Sequence, residues 1–537
     1  MKYLIVVLIF FSEITFAQKL SKEDKVVIEN LKKQISFLAD DKLEGRRTGT
    51  AGEKLAYEYL QNAYKNAGLK HYLTNNTYIQ PFEISEGKEI GNENYLVLGD
   101  IMYALEKEDF PFAFSAAVKD INLQKYGANV AIIDLANTLK ENENNPHFDL
   151  KEKVYSIAKN AVAEKKQAVI FKNTSAIKDG LTFDSKDKAE QLSIPVIYLT
   201  KDIAEQFGNN SYASTLNILV KQKKRIGHNV VGYINNNALN NIVVGAHYDH
   251  LGYGEDHNSL HTGSAPAIHN GADDNASGTA ALIEISKWLG KSNLKKYNYI
   301  FVSFSGEELG LYGSKYFIEN AGLAPNTVSY MINMDMVGRL NDSTRGLTIG
   351  GYGTSPTWGK LIKKDDAYFK INLDSSGSGP SDHTSFYKKD IPVLFFFTGS
   401  HKDYHKPSDD ADKINYRGEL QIIKYIQNII AQTNKLEKLA FTKTREVSMG
   451  KSSFKVSVGI MPDYTFTGNG VKVDGVSENK PAQKAGVKTG DVLLQLGEHK
   501  FSDVQSYMGV LNKFEKGQST QLKLMREQVE IVLPITF

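Results

Sequence analysis

The chain has no cysteine in 537 residues. That excludes a disulfide framework, a thiolate nucleophile, a thiolate metal site and lipid attachment through an N-terminal cysteine. Any metal must be held by histidine and carboxylate. An excess of one charge is missing too: 64 Lys and Arg stand against 62 Asp and Glu, for a net charge of +2. Nucleic-acid binding needs a clustered basic face, and these charges are scattered, so no nucleic-acid partner is expected. Long apolar runs are absent beyond the N-terminus. The run there, Leu4 to Phe11, falls well short of the ~20 residues of a membrane span. With Lys2 before it and Thr15-Phe16-Ala17 after it, residues 1–17 read as a signal peptide cut before Gln18, a retained anchor being the other reading. The expectation is an exported protein, periplasmic or secreted, with no stable membrane span after cleavage. Hydrophobic residues make up 41% and charged residues 23%, as in soluble globular proteins. At roughly 150 residues per domain, about three domains are expected.

From Lys22 the pattern is helical, with Val26, Val27, Ile28, Leu31, Ile35 and Leu38 as an apolar stripe. A polar break, Glu44 to Gly52, precedes a second helix from Glu53 to Ala67, whose Leu55, Tyr57, Leu60 and Tyr64 are expected to face inward. Residues 92–224 alternate short strands and helices without a cluster of metal-type side chains and read as an inserted domain. From Ile226 to Leu439 strand and helix alternate again: strands 241–246, 298–304, 329–334 and 392–397, helices 276–290, 311–320 and 418–436. Such alternation predicts an α/β fold with a mainly parallel sheet flanked by helices, and ligands in such folds sit at the carboxyl ends of the strands. Residues 441–450 read as a linker, and 451–537 as a small β-rich unit.

The informative residues fall at those strand ends: His247 and Asp249; Asp273-Asp274; Glu307-Glu308; Asp335; Tyr404-His405. Burying such side chains unpaired is costly, and divalent cations would offset that cost. Catalytic zinc takes imidazole nitrogen and carboxylate oxygen and keeps a position open. Asp273 reads more readily as a helix start, since acids favour the N-terminal turn. Of His250, His257, His261 and His269, any one is more readily a solvated loop residue than a ligand. Arg339 reads as the partner of an acid behind the site, and Asp409 as a local cap or part of the rim.

The motifs Gly245-Ala-His-Tyr-Asp249, Asn270-Gly-Ala-Asp-Asp-Asn-Ala-Ser-Gly278, Ser305-Gly-Glu-Glu-Leu-Gly310, Asn333-Met-Asp-Met-Val-Gly-Arg339 and Tyr404-His405 resemble, in order, those of peptidase family M28, the co-catalytic zinc aminopeptidases. The resemblance covers residues 22–90 and 226–437, that is, a peptidase domain split into 18–91 and 225–440. It implies two Zn2+ (Co2+ or Mn2+ would suit the same donors), with His247 and Asp335 on one ion, Glu308 and His405 on the other, and Asp274 bridging. It implies Glu307 as general base for a bridging hydroxide, Asp249 fixing the His247 tautomer, and Tyr404 donating to the oxyanion. Ser381 and Asp382 resemble the family's pocket-lining segment.

Residues 92–224 are similar in pattern to the protease-associated domain inserted in this family. Residues 451–537, through Ser457-Val-Gly-Ile460 and Pro481 to Asp491, resemble a PDZ domain. The expected activity is removal of N-terminal residues from peptides or proteins, with a peptide C-terminus as a further partner of the PDZ domain. The alternatives are a glutaminyl cyclase-like or carboxypeptidase-like enzyme, or a receptor or scaffold that has lost the site.

Overall fold

The computed structural model describes residues 20–537 apart from 124–128, 144, 146–147, 186, 188, 210–213, 257, 262, 264, 445–455, 463–468, 477–479, 503 and 512. The signal-peptide expectation for 1–17, part of the linker and His257 therefore lie outside the described residues. Glu83–Arg225 forms one compact unit, and the chain on either side of it forms another.

The larger unit is built on a nine-stranded sheet. Its strands are β1 (Lys70–His71), β2 (Ile79–Ile90), β3 (Val220–Ile234), β4 (Asn241–His247), β5 (Asn298–Phe304), β6 (Val328–Met334), β7 (Gly346–Gly350), β8 (Lys370–Leu373) and β9 (Val393–Phe397). They lie in the order β1-β3-β5-β4-β6-β9-β7-β8, with β2 also paired to β3. The four central strands, β5-β4-β6-β9, are parallel, whereas β3 runs antiparallel to β5 and β7 antiparallel to β9. The sheet is thus mixed around a parallel core. Every residue of β5 and β6 is buried, because helices cover both faces and such strands must be apolar on both sides.

The helices are α1 (Lys22–Leu38), α2 (Ala51–Asn66), α3 (Gly278–Lys291), α4 (Tyr312–Asn320) and α5 (Tyr416–Thr433). Side chains of α1, α2, α3 and α5 pack with Val244, Phe301 and Ile332 on one face, while Phe317 of α4 packs with Val243, Ile300 and Met331 on the other. A capping box between Ser21 and Asp24 starts α1, leaving fewer unsatisfied N–H groups at its first turn. Two expected inward residues face solvent instead: Val26 is 54% exposed and Leu55 44%. Each lies about one residue off the apolar stripe of its helix, where the 100° step per residue turns it away. None of the helices among the described residues is long and apolar enough to cross a membrane.

The Glu83–Arg225 unit holds two four-stranded sheets. One contains Ile101–Ala104, Tyr95–Leu98, Ser214–Ile218 and Val118–Leu123; the other contains Phe110–Pro111, Val196–Tyr198, Ala168–Lys172 and Val130–Asp134. The C-terminal segment is β-rich, a six-stranded sheet with a core of its own around Val458, Val473, Leu493, Leu522 and Leu524. There Asp491, in the Thr489-Gly490-Asp491 turn, accepts two hydrogen bonds of 2.7 Å from Arg526, a paired, charge-assisted clamp.

Candidate metal centre

Because β4, β5, β6 and β9 are parallel, their C-terminal ends lie side by side and deliver polar residues to one place. His247 is the last residue of β4 and stands in register with Phe304, the last of β5. Glu307 and Glu308 follow β5 after two intervening residues, and Asp335 directly follows β6. Asp274 enters from a wide helical turn, Ala272–Ser277, that leads into α3, and His405 from the loop after β9.

These five side chains converge. His247 Nε2 lies 3.4 Å from Asp274 Oδ1 and 3.3 Å from Asp335 Oδ1. His405 Nε2 lies 3.3 Å from Asp274 Oδ2 and 3.2 Å from Glu308 Oε2. Asp274 therefore offers one oxygen to each histidine. Two donors each about 2.1 Å from a tetrahedral cation are themselves roughly 3.4 Å apart, so all four spacings suit two cations sharing Asp274. His250 also reaches the cluster, with Nδ1 2.8 Å from Glu308 Oε1. Triads that could hold a metal are His247-Asp274-Asp335 and His250-Asp274-Glu308. Of the two histidines near Glu308, His405 has the spacing of a fellow ligand to both acids. The His250 contact is a hydrogen-bond length, and His250 stands 4.0 Å from Asp274; it holds Glu308 by one oxygen and leaves the other for a cation.

Charge is compensated pair by pair. Burial alone would lower the His247 pKa, but Asp335 and Glu307 raise it well above the usual imidazole range. His405 rises likewise, against burial, beside Glu308 and Asp274. Burial opposes ionisation of Glu308, yet His405 and His250 hold it well below the carboxylate range. Glu307 goes the other way. Burial pushes it well up, His247 opposes, and Glu308, Asp335 and Asp382 add to the rise.

Around this cluster lies a shell of hydrogen bonds. Ser381 Oγ donates to Asp335 Oδ2 at 2.8 Å and accepts from Asn333 Nδ2 at 2.7 Å. Asp382 is fully buried; its pKa rises to about 7 through burial, against His247 and with Asp249 and Asp335. The acceptor nearest His247 Nδ1 is the Asp249 backbone carbonyl at 3.2 Å, with Asp249 Oδ1 at 3.7 Å. The Asp249 carboxylate also accepts from Thr48 Oγ1 at 3.0 Å and Glu307 N at 3.3 Å, so it ties the His247 turn to the Glu307 turn. The Tyr404 ring stacks on His405, centroids 3.9 Å apart.

The Asp274 turn is held from three sides. Asp409 Oδ2 accepts from the backbone N of Asp273 and Asp274 at 2.9 and 3.0 Å. Asn275 donates to Met334 O and accepts from Gly278 N and Met336 N. A Cβ on Gly278 would stand 2.4 Å from both Asn275 Oδ1 and Met334 O, so no larger residue fits without opening this turn. Arg46, fully buried, donates to the carbonyls of Leu38 (2.5 Å), Tyr248 (2.7 Å), Asn270 (2.6 Å) and Gly271 (2.9 Å). Burial lowers its pKa to about 10, against Asp274, Asp249, Asp409 and Glu308.

Asp273 does stand in the first turn of the Ala272–Ser277 segment, where its carboxylate accepts from Gly338 N and Ser277 Oγ and meets His401 Nε2 at 3.2 Å. Arg339 does pair with acids, Asp403 at 3.3 Å and Asp409 at 3.8 Å. His269 is occupied by Ser259 Oγ and Ala267 O, and His261 is exposed. Sequence reasoning missed Arg46 and Thr48, which it placed in a polar break, and it gave Asp409 no ligand-positioning role. The adjacent arginines between two apolar helices were the available signal.

A mixed α/β sheet thus carries paired His–carboxylate clusters, able to hold divalent cations, at its parallel strand ends. Residues 229–430 match the model of peptidase family M28, and residues 441–536 match that of a PDZ domain. Leupeptin-inactivating enzyme 1 of Streptomyces exfoliatus is 33% identical over 147 residues, 27% of this chain and 32% of that protein. Aminopeptidase YwaD of Bacillus subtilis strain 168 is 26% identical over 284 residues, 49% of this chain and 56% of that protein. The chain thus spans 32% and 56% of the length of these two relatives. The solved structure of BSAP, a zinc aminopeptidase from Bacillus subtilis, aligns over 78% of this chain and 98% of that one at 20% identity and a TM-score of 0.42.

Proposed function

We propose that this chain is an exported, zinc-dependent aminopeptidase. The observation that carries the reading is the set of four ligand-to-ligand spacings of 3.2–3.4 Å centred on Asp274. Two zinc ions held by His247, Asp335 and Asp274 and by Glu308, His405 and Asp274 would supply Lewis acidity to water and to the scissile carbonyl. The remaining work falls to the chain. Glu307 takes the proton of the attacking water and returns it to the leaving amine. Burial and the neighbouring acids raise its pKa, and bound cations would lower it again, favouring the carboxylate that accepts the proton. Asp249 and Thr48 hold the turns that carry His247 and Glu307. Tyr404 donates to the oxyanion as it forms. Support comes also from the M28 domain and from relatives whose names state aminopeptidase activity.

In this reading residues 92–224 act as a protease-associated domain that restricts which peptides enter, residues 451–537 take a peptide C-terminus, and residues 1–17 direct export. The test is release of leucine from leucine anilide by the purified chain. Activity should vanish with a chelator and return with Zn2+. Glu307→Gln should keep its metal and lose about 10²–10⁴-fold in kcat. Near-normal kcat in that variant would refute the role of Glu307, and chelator-resistant hydrolysis would refute the metal.

A further inference from the structure

A cavity of about 340 Å3 opens beside the metal centre, at the end of the same strands. Its wall includes Arg339, Asn341, Ser400, His401 and Lys413, with no carboxylate among the residues that line it. Arg339 stands four residues beyond Asp335, and the 398–401 stretch leads directly into Tyr404 and His405. Thr398 donates from both N and Oγ1 to Met336 O, at 3.0 and 2.7 Å, which joins the two walls.

The acids that balance these cations lie outside the lining. Asp403 takes Arg339 Nη2 at 3.3 Å and Lys413 Nζ at 3.2 Å, and Asp273 takes His401 Nε2 at 3.2 Å. Two polar atoms remain without a hydrogen-bond partner, Arg339 Nη1 and His401 Nδ1. Arg339 Nη1 is 3.8 Å from Asp409 Oδ1, beyond hydrogen-bond reach. Both atoms are buried and lie behind the cavity surface; the cationic lining itself, with no carboxylate in it, is what suits an anion, and a planar guanidinium suits a carboxylate.

We propose that this cavity binds a carboxylate group, with Arg339 and Lys413 as its charged anchors. Three sources share that chemistry: an acidic side chain at the substrate's N-terminal residue, the terminal carboxylate of a dipeptide, and a free dicarboxylate. The first two rest on the peptidase reading; the pocket itself does not.

The test uses the full chain and glutarate as probe, followed by calorimetry. Wild type should bind it saturably. Lys413→Gln and Arg339→Gln should each bind about tenfold or more weakly, the worth of one charged hydrogen bond. Should Arg339→Gln fail to fold, Asn341→Asp serves in its place. Asn341 Oδ1 accepts from Ser343 N and Thr344 N, a role aspartate keeps, while the new charge should repel glutarate. Hydrolysis of glutamyl against glutaminyl anilide, and of Ala-Glu against Ala-Gln, identifies the source. A preference for the acid in either pair that Lys413→Gln abolishes, with leucine anilide turnover unchanged, assigns it to substrate. Glutarate binding without such a preference assigns it to the free anion. No glutarate binding, or equal binding by all variants, overturns the pocket while active leucine anilide hydrolysis leaves the peptidase reading standing. Lost hydrolysis of every substrate with glutarate binding intact does the reverse.

Discussion

Glu419 is a carboxyl group with nowhere to put a charge. It sits in the first turn of α5, fully buried, and neither oxygen has a hydrogen-bond partner. Burial, with Asp273 and Glu284 nearby, raises its pKa well above 4.5. The native state therefore holds it neutral. Below pH 4.5 it is protonated in both states, and its contribution is fully present. As pH rises toward the folded pKa the unfolded chain alone ionises, and stability is lost. Glu419→Gln should raise the melting temperature at pH 8 by roughly 2–4 °C and change little near pH 4; an equal effect at both would contradict a buried neutral acid. The two histidines at Glu308 make a second contrast. His405→Phe should cost one of two bound metals. His250→Phe should keep the stoichiometry and weaken affinity about 10–100-fold, as loss of a ligand-orienting contact does. Metal titration of the apo-protein reads both. The convergence of His247, Asp274, Glu308, Asp335 and His405 on one place was foreshadowed in the sequence, because acids and imidazoles at apolar strand ends have no cheap structural use. His250 and Asp409 were not, since a loop histidine and a loop aspartate look solvated until the contact they make is seen.

Arg46 acts as a strut between elements, bonding the end of α1, the turn after β4 and the approach to Asp274. Without its donors these four buried carbonyls would each cost about 1–3 kcal/mol where water cannot reach them. Arg46→Met should lower both the melting temperature and the metal content, and Arg46→Lys should not restore them, because an ammonium cannot fork to three loops. An unaltered melting curve would show the strut to be dispensable. At this scale β5 matched expectation residue for residue and β4, β6 and β9 to within one, since strands buried on both faces announce themselves as unbroken apolar runs. The entry to α3 did not. A plain helix start was expected at 276, whereas Ala272–Ser277 forms a wider turn in which Asn275 bonds Met334 of β6, a contact 59 residues away. Local pattern carries no record of such a distant partner.

Between Phe82 and Gly227 the chain makes an excursion of 144 residues, yet the two sites are neighbours. A Cβ built on Gly227 would lie 2.5 Å from the Phe82 ring, and β2 pairs with β3. Replacing 83–225 with a short Gly-rich turn should therefore leave a folded chain that still binds its metals, since none of the five ligands lies in that stretch. Metal analysis and circular dichroism of the shortened protein check this, and loss of metal would show that the excised unit supports the centre. Shifts in pattern along the chain pointed to an insertion at 92–224 and a β-rich tail, and the compact unit runs from Glu83 to Arg225. The closeness of Phe82 and Gly227 was not legible, because pairing across so many residues is settled by the sheet. If the shortened chain keeps its metals, the insertion is an exchangeable part, one that could be replaced or lengthened without shifting the register on which the spacing of the candidate ligands depends.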